Sequence, residues 1–175
     1  MPIKITKLLL GIIFILVVVL GIALAAQLID RENVLERVTF WPDFKAKTLA
    51  GDLVYSSSLP NGYPVLFTYF NTECTFCRAE IADIAEFKPI HEATTVIFVS
   101  DEDSETIQQF RRELGLEEQD EFLFLMDTGG EVKKYFGIRS VPATYLYNKD
   151  GDLAEFYRGA VKAETLYSRI AIMDE

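Results

Sequence analysis

The chain has few of the side chains that bind transition metals. Its 175 residues include two cysteines and one histidine, His91. A structural zinc site needs four ligands, so a closed site within one molecule is excluded, and a site shared between molecules would need ligands from a partner. We expect His91, which follows Pro89 and Ile90, on a surface loop. No metal or bound cofactor is predicted.

Basic residues are also scarce. There are 17 Lys and Arg against 27 Asp and Glu, and all the acids lie after residue 29 together with 15 of the bases. The part after residue 29 therefore carries a formal charge of −12. A phosphate backbone would be repelled, and no basic stripe interleaved with aromatic residues is present. The composition excludes nucleic acid as a partner.

Charge is absent from one long stretch, the 22 residues from Leu8 to Ile29. About 20 apolar residues cross a bilayer, so the stretch predicts one transmembrane helix, with membrane contact through residues 8–29. Lys4 and Lys7 precede it, and the positive-inside tendency places the rest of the chain on the far side. The predicted location is a bacterial inner membrane, with the domain on its periplasmic or extracytoplasmic side. A signal peptide cleaved after Ala25 is the alternative, because small residues stand at that site.

The composition divides the chain into three parts. Residues 1–29 form the predicted anchor or signal segment, residues 30–43 a juxtamembrane linker, and residues 44–175 a single globular domain. In the domain, predicted strands cover 44–49, 53–57, 64–70, 94–99, 121–126, 143–147 and 153–157, and predicted helices cover 78–88, 103–114, 131–136 and 164–172.

The order of these elements predicts an α/β fold. Strands separated by helices imply parallel crossovers, whereas the turn Asn148-Lys149-Asp150-Gly151-Asp152 joins two antiparallel strands. The first two predicted strands flank Ala50-Gly51-Asp52 and form a β-hairpin. The domain is therefore predicted to have a central mixed sheet with helices on both faces and an N-terminal hairpin.

Both cysteines lie in one motif, Cys74-Thr75-Phe76-Cys77, between a buried strand and a helix. The unpaired N–H groups and the dipole of a helix N-terminus favour a thiolate, so Cys74 is the expected nucleophile. Cys77, one turn further on, would be shielded and would resolve a mixed disulfide. The alternative is a structural disulfide, but closing so short a loop stabilises a fold less than linking distant segments.

A second motif follows at Ser140-Val141-Pro142-Ala143-Thr144. Pro142 heads a predicted strand, where it cannot donate a ladder hydrogen bond. A cis peptide bond before Pro142 would make the sharp bend that brings this segment beside the cysteines.

These motifs together resemble those of thioredoxin-like proteins, and specifically the membrane-anchored TlpA/ResA-type thiol-disulfide oxidoreductases. The resemblance covers about residues 44–175, and its most specific parts are CTFCRAEI and SVPATYLYNKDG. It implies a thioredoxin-like three-layer sandwich in which residues 103–130 form the central insertion of this subgroup.

The resemblance also implies the function and the roles of single residues. The chain would be an enzyme of dithiol-disulfide exchange whose only redox group is the Cys74–Cys77 pair, with Pro142 also in the catalytic site. Val141 would present backbone groups to an extended substrate, and Thr75 and Phe76 would contact it. A membrane thiol donor would supply electrons for reducing disulfides of exported periplasmic proteins, with cytochrome c maturation as one destination.

Glu80 matches the acid of the C-x-x-C-x-x-E pattern in this subgroup. It lies one helical turn from Cys77, within reach to relay a proton during resolution. An acid that only complements the helix dipole is the alternative. Glu73 stands where a tryptophan usually precedes the first cysteine, and Thr68 stands where thioredoxin has a buried aspartate, so any acid-base role falls to Glu80.

Two other functions remain open at this point. One is a non-catalytic binding module with a permanent disulfide. The other is a peroxiredoxin-like peroxidase, which would need a proline seven residues before its reactive cysteine and a Thr or Ser three residues before it. Phe67 and Asn71 occupy those positions.

Overall fold

The structure is a computed structural model, which describes the backbone of residues 2–59 and 62–173 and, within the first helix, the side chains of residues 10–26, 34 and 36–38. The chain divides into two compact units, Met1–Glu36 and Arg37–Glu175. The first helix, α1, extends over Pro2–Val38.

The predicted membrane anchor is wrong. Among the residues described, no helix is both long enough and apolar enough to cross a bilayer. The side chains of residues 8, 9 and 27–29, at the ends of the predicted span, lie outside the described set. The predicted inner-membrane location and the predicted membrane contact through residues 8–29 depended on this anchor and are wrong with it.

The second unit contains one seven-stranded mixed sheet with the strand order β2-β1-β5-β4-β3-β6-β7. The strands are β1 Lys45–Thr48, β2 Leu53–Tyr55, β3 Val65–Tyr69, β4 Thr95–Ser100, β5 Phe122–Met126, β6 Ala143–Tyr147 and β7 Leu153–Arg158. The strands β3, β4 and β5 are parallel, and every other pairing is antiparallel. The predicted mixed sheet and hairpin are confirmed.

The helices of this unit follow from the connections that parallel strands require. They are α2 Thr75–Glu86, α3 Lys88–Ala93, α4 Ser104–Glu113, α5 Glu131–Tyr135 and α6 Ala163–Met173. Helices α2 and α3 connect β3 to β4, and α4 connects β4 to β5. The short 3-10 helix Ser56–Ser58 follows β2.

Successive side chains along the central strand β3 point to opposite faces of the sheet, so the core is divided into two parts, one on each face. Leu66 and Phe70 contact the face that α2, α3, α4 and α6 cover. Val65, Phe67 and Tyr69 point to the other face, which α5 and the segment around Val38 cover. Helices therefore lie on both faces, as predicted. Thr68 shares the face of Leu66 because successive side chains of a strand alternate.

The region around Pro89 differs from the sequence expectation. Pro89 does not lie in a loop after α2, because α2 ends at Glu86 and Pro89 lies in the first turn of α3. A proline fits there since the N–H that it lacks has no partner in a first turn. His91 consequently belongs to α3 rather than to a surface loop, and its Nε2 lies 2.7 Å from the Ile84 carbonyl oxygen.

Candidate active site

The motif with both cysteines lies where β3 passes into α2. The chain turns at Asn71, whose carbonyl oxygen accepts a hydrogen bond from the Cys74 N–H at 3.2 Å. Asn71 Oδ1 accepts another from the Glu73 N–H at 3.0 Å. This turn places Cys74 at the N-cap position of α2 and Cys77 in its first turn.

Glu102 holds the turn from the side of β4. Its two carboxylate oxygens accept hydrogen bonds from the Thr72 N–H at 2.8 Å and from Thr72 Oγ1 at 2.7 Å. Ser100 Oγ donates to the same carboxylate at 2.9 Å. The sequence analysis does not single out Glu102, since its partner Thr72 lies 30 residues away along the chain.

Cys74 has the surroundings of a nucleophile. Its side chain is partly exposed, and its sulfur accepts a hydrogen bond from the Cys77 N–H at 3.3 Å. Such a donor at a helix N-terminus stabilises negative charge on sulfur. Both cysteines are free thiols in this structure.

Cys77 has the opposite surroundings. Its side chain is fully buried, and the loss of solvation raises the pKa of its thiol far above the ordinary value. The hydrogen bond with Cys74 and the nearby charges of Cys74 and Glu80 raise this pKa further, while the Asn71 backbone lowers it. Cys77 is therefore a protonated thiol near neutral pH.

The segment before β6 lies against the first sulfur. The Val141–Pro142 peptide bond is cis, and Cys74 Sγ lies 3.8 Å from the Val141 carbonyl oxygen. Pro142 is buried, and its carbonyl oxygen accepts a hydrogen bond from the Gly159 N–H at 2.9 Å. The structure thus brings Val141 and Pro142 to the cysteines from far along the chain.

Glu80 is buried behind the cysteines, with 2% of its surface exposed. Burial raises the pKa of its carboxyl group to about 7, and Asp83 adds to this, while the hydrogen bond from Thr144 and the polar backbone at Val161 act in the opposite direction. A solvent-facing acid that serves the helix dipole would not be desolvated in this way. Glu80 therefore has the pKa and the location of a group that exchanges protons near neutral pH.

The two oxygens of this carboxyl group differ in their contacts. Oε1 accepts a hydrogen bond from Thr144 Oγ1 at 2.5 Å, and Thr144 Oγ1 lies 3.0 Å from Thr68 Oγ1. Oε2 is buried and has no hydrogen-bond partner among the residues that the structure describes. The sequence drew attention to Thr68, because it stands where thioredoxin has a buried aspartate. Thr144 appeared only as the last residue of the VPAT motif and was given no role.

The two residues between the cysteines face outward. Thr75 is exposed, and 70% of the Phe76 surface is accessible to solvent. An exposed phenylalanine beside the partly exposed Cys74 offers an apolar contact to any chain that approaches the sulfur. Across the described residues, no group of three or more His, Cys, Asp or Glu side chains is arranged to hold a metal ion.

A mixed sheet of this order with two thiols at a helix start beside a cis-proline segment defines a class, the thioredoxin-like thiol-disulfide oxidoreductases. The chain belongs to the AhpC/TSA family, whose sequence profile matches residues 39–156.

Similar proteins carry names from the same class. Thiol-disulfide oxidoreductase ResA of Oceanobacillus iheyensis is 27% identical over 164 residues, which cover 89% of this chain and 82% of that protein. Sporulation thiol-disulfide oxidoreductase A of Bacillus subtilis is 26% identical over 130 residues, which cover 70% of this chain and 74% of that protein.

A solved structure supports the same conclusion. The secreted Mycobacterium tuberculosis disulfide oxidoreductase homologous to E. coli DsbE superposes with a TM-score of 0.63 at 26% identity, over 78% of this chain and 98% of that one. The predicted resemblance and the predicted enzyme class, a thiol-disulfide oxidoreductase, are confirmed.

Proposed function

We propose that the protein reduces disulfide bonds in other proteins through Cys74 and Cys77. The observation that carries the proposal is the pairing of a partly exposed sulfur with a buried thiol one turn deeper, where the Cys77 N–H donates to Cys74 Sγ at 3.3 Å. The relatives named as oxidoreductases of thiols and disulfides support it. The dithiol itself is the redox group, and no other cofactor takes part.

The reaction consists of two exchange steps. The Cys74 thiolate attacks one sulfur of the substrate disulfide, so that a mixed disulfide forms and the first substrate thiolate leaves. Cys77 then loses its proton and attacks Cys74 Sγ, which breaks the mixed disulfide and releases the second substrate thiolate. Both thiolates take up protons, and the enzyme is left oxidised by two electrons. A thiol donor returns those electrons.

Glu80 is the base for the second step. The buried Cys77 thiol keeps its proton at neutral pH, and the Glu80 carboxyl group lies on the same helix three residues further on. A carboxyl group with a pKa of about 7 is available as a base near neutral pH. Because the pKa of Cys77 is higher, the proton moves to Glu80 only as the Cys77 sulfur attacks Cys74.

Substrate contacts come from two segments. Val141 offers its backbone beside Cys74, in position to pair with an extended peptide. Thr75 and Phe76 are exposed next to the same sulfur and would contact the residues that flank the target disulfide. Pro142 completes this surface by setting the path of the chain before β6.

The finer assignment follows the resemblance to TlpA/ResA-type proteins. We propose that a separate integral-membrane protein with a thiol pair donates electrons to the Cys74–Cys77 disulfide. We propose the disulfide of a C-x-x-C-H haem-attachment segment as one substrate. We expect the protein to reduce the disulfide of a synthetic C-x-x-C-H peptide well above the rate for a control peptide. The control has the same residues, with the cysteines and the histidine at other spacings. Equal rates would remove cytochrome c maturation from the proposal.

The function itself is tested by replacing Cys74. With dithiothreitol as donor, the wild-type protein is expected to accelerate insulin reduction, and Cys74→Ser to fall to the uncatalysed rate because no nucleophile remains. Cys77→Ser should instead accumulate a mixed disulfide with the substrate, visible as a mass increase. Unchanged turnover by Cys74→Ser would contradict the proposal and favour the binding module.

A measurement of hydrogen peroxide consumption alongside insulin reduction tests the peroxidase alternative. A peroxiredoxin-type enzyme would consume hydrogen peroxide faster than it reduces insulin. Because Asn71 stands where that chemistry needs Thr or Ser, peroxide consumption by the wild-type protein is expected at the background rate.

A further inference from the structure

Two buried threonines connect Glu80 to the centre of the sheet. Thr144 on β6 and Thr68 on β3 are both fully buried and lie opposite each other in the strand register. Thr144 Oγ1 donates to Glu80 Oε1 at 2.5 Å, and the two threonine oxygens are 3.0 Å apart. Since a hydroxyl group has one proton, Thr144 has none left for Thr68. The hydrogen bonds therefore run from Thr68 to Thr144 to Glu80.

This direction makes the two carboxyl oxygens of Glu80 unequal. A hydroxyl that donates to Oε1 disfavours a proton on that oxygen, because a protonated carboxyl oxygen is a weaker hydrogen-bond acceptor than an ionised one. Oε2 accepts no hydrogen bond from the described residues although it is buried. Buried polar atoms normally have a partner, and the charge of Glu80 acts on the Cys77 thiol one helical turn away. The unpaired oxygen is therefore available to accept the proton of that thiol.

We propose that Thr144, oriented by Thr68, is a positioning residue that holds Glu80 Oε1 and so leaves Oε2 as the atom that exchanges a proton with the Cys77 thiol. The inference deepens the proposed function and rests on it. In the resolving step the Cys77 S–H bond breaks, its proton binds Oε2, and the sulfur electron pair forms the bond to Cys74 Sγ as the substrate thiolate leaves. The carboxyl group later returns the proton to a leaving thiolate or to water.

The other titratable groups near this carboxyl group, Asp83 and Tyr157, are not candidates for the same proton transfer. On α2, Asp83 accepts hydrogen bonds from Lys162 Nζ at 3.2 Å and from the Ala163 N–H at 2.8 Å. Tyr157 on β7 is the register partner of Thr144, and burial raises the pKa of its phenol further above neutrality. Among these groups, Glu80 is the one whose pKa lies near neutral pH.

The test separates the two exchange steps with dithionitrobenzoate as the disulfide. Attack by Cys74 on the reagent releases one coloured thiolate, and resolution by Cys77 releases the second. In the wild-type protein the rate of the second release should rise with pH through a midpoint near 7. Thr144→Val keeps the shape but removes the donor, so the midpoint should rise by about one pH unit and the second rate at pH 7 should fall about fivefold. The first rate should change less than about twofold, since Cys74 does not contact Thr144.

Two variants serve as controls. Thr144→Ser keeps the hydroxyl and should restore the wild-type midpoint. Thr94 is a matched buried threonine whose hydroxyl donates to the Ile90 carbonyl oxygen at 2.8 Å, in α3, and Thr94→Val should match the wild-type protein in both rates. A Thr144→Val profile equal to that of Thr94→Val, or equal slowing of both releases, would overturn the inference.

Thr68→Val provides a second test in case Thr144→Val does not fold. Thr68→Val removes the donor behind Thr144 and should move the midpoint in the same direction by a smaller amount. If Thr144→Val does not fold and folded Thr68→Val keeps the wild-type midpoint, the inference is also overturned.

Glu80→Gln distinguishes a failure of this inference from a failure of the proposed function. If Glu80→Gln keeps the midpoint near 7, the proton role of Glu80 is wrong and both proposals about it fail. If Glu80→Gln abolishes the midpoint while Thr144→Val leaves it in place, only the role of Thr144 is wrong. The double variant should behave like Glu80→Gln alone, because Thr144 acts through that carboxyl group.

Discussion

Burial disfavours the charged forms of both Cys77 and Glu80. The consequences differ, because the thiol pKa is raised far beyond neutrality whereas the carboxyl pKa reaches only about 7. One group holds a proton at working pH and the other is half ionised. The carboxylate form of Glu80 is therefore available near neutral pH to accept a proton, whereas the Cys77 thiol gives one up only as its sulfur reacts.

The raised pKa of Glu80 has a cost in stability with a definite sign. Between its ordinary value of 4.5 and about 7, the folded protein holds a proton on Glu80 that the unfolded chain has released. The free energy of unfolding therefore falls as pH rises through this window and stays lower above it.

Glu80→Gln, which resembles the protonated form, should remove this penalty. At pH 8 we expect the variant to exceed the wild-type protein by up to about 3 kcal/mol in the free energy of unfolding, and at pH 4 to match it. Urea denaturation at the two pH values measures the difference. A variant that is less stable than the wild-type protein at pH 8 would contradict the burial of a charged carboxylate.

At this scale the sequence predicted the residues with local signals. The cysteines were identified from their spacing and their place after a strand, and Glu80 from its match to the C-x-x-C-x-x-E pattern of the resembled proteins. Thr144 and Glu102 were not identified, because their contacts with Glu80 and Thr72 span 64 and 30 residues. Hydrogen bonds between distant segments leave no periodic pattern in a sequence.

At the scale of elements, α5 depends on one buried acid. Asp127 follows β5, and its carboxylate accepts hydrogen bonds from the Val132 and Lys133 N–H groups at 3.1 and 2.9 Å. It also accepts one from the buried Tyr69 hydroxyl at 3.1 Å. The acid thus fixes the first turn of α5 to the central strand.

Asp127→Ala should remove all three of these bonds and leave a buried phenol unpaired. We expect a loss of about 2–4 kcal/mol in the free energy of unfolding, measured by chemical denaturation. Asp103→Ala is the matched control, because Asp103 caps α4 through the Thr106 N–H from an exposed position, and its loss should be clearly smaller. Equal losses would contradict the role assigned to Asp127.

Element types were predicted better than element ends. All seven strands were expected from apolar runs and turn signals, whereas α2 was placed at 78–88 and begins at Thr75. The apolar periodicity starts late because the first turn carries the exposed Thr75 and Phe76, which serve the site rather than the core. The separate α3 was missed for a related reason, since Pro89 ends one helix in a simple pattern but fits the first turn of the next.

At the scale of the whole molecule, the segment before the first strand belongs to the second unit. Val38 is fully buried, and its carbonyl oxygen accepts a hydrogen bond from the Tyr147 hydroxyl at 3.0 Å. Trp41 packs edge-on against Tyr147 with ring centroids 5.0 Å apart. Composition placed these residues in a linker, because two apolar side chains among charged ones form no pattern.

Two truncated chains test this boundary. A chain of residues 37–175 should keep the full set of core contacts and the wild-type rate of insulin reduction. A chain of residues 44–175 loses the burial of Val38 and Trp41 and should be less stable by at least about 2 kcal/mol, measured by urea denaturation. Equal stability of the two chains would show that residues 37–43 do not belong to the domain.

The redox midpoint of the Cys74–Cys77 couple tests the central claim most directly. Equilibration with glutathione or dithiothreitol buffers, followed by quenching with a mass-tagging alkylating reagent, gives the fraction of dithiol at each potential. We predict a midpoint between about −120 and −270 mV, the range of proteins that exchange disulfides. A midpoint below about −300 mV would mark a structural disulfide and contradict the account.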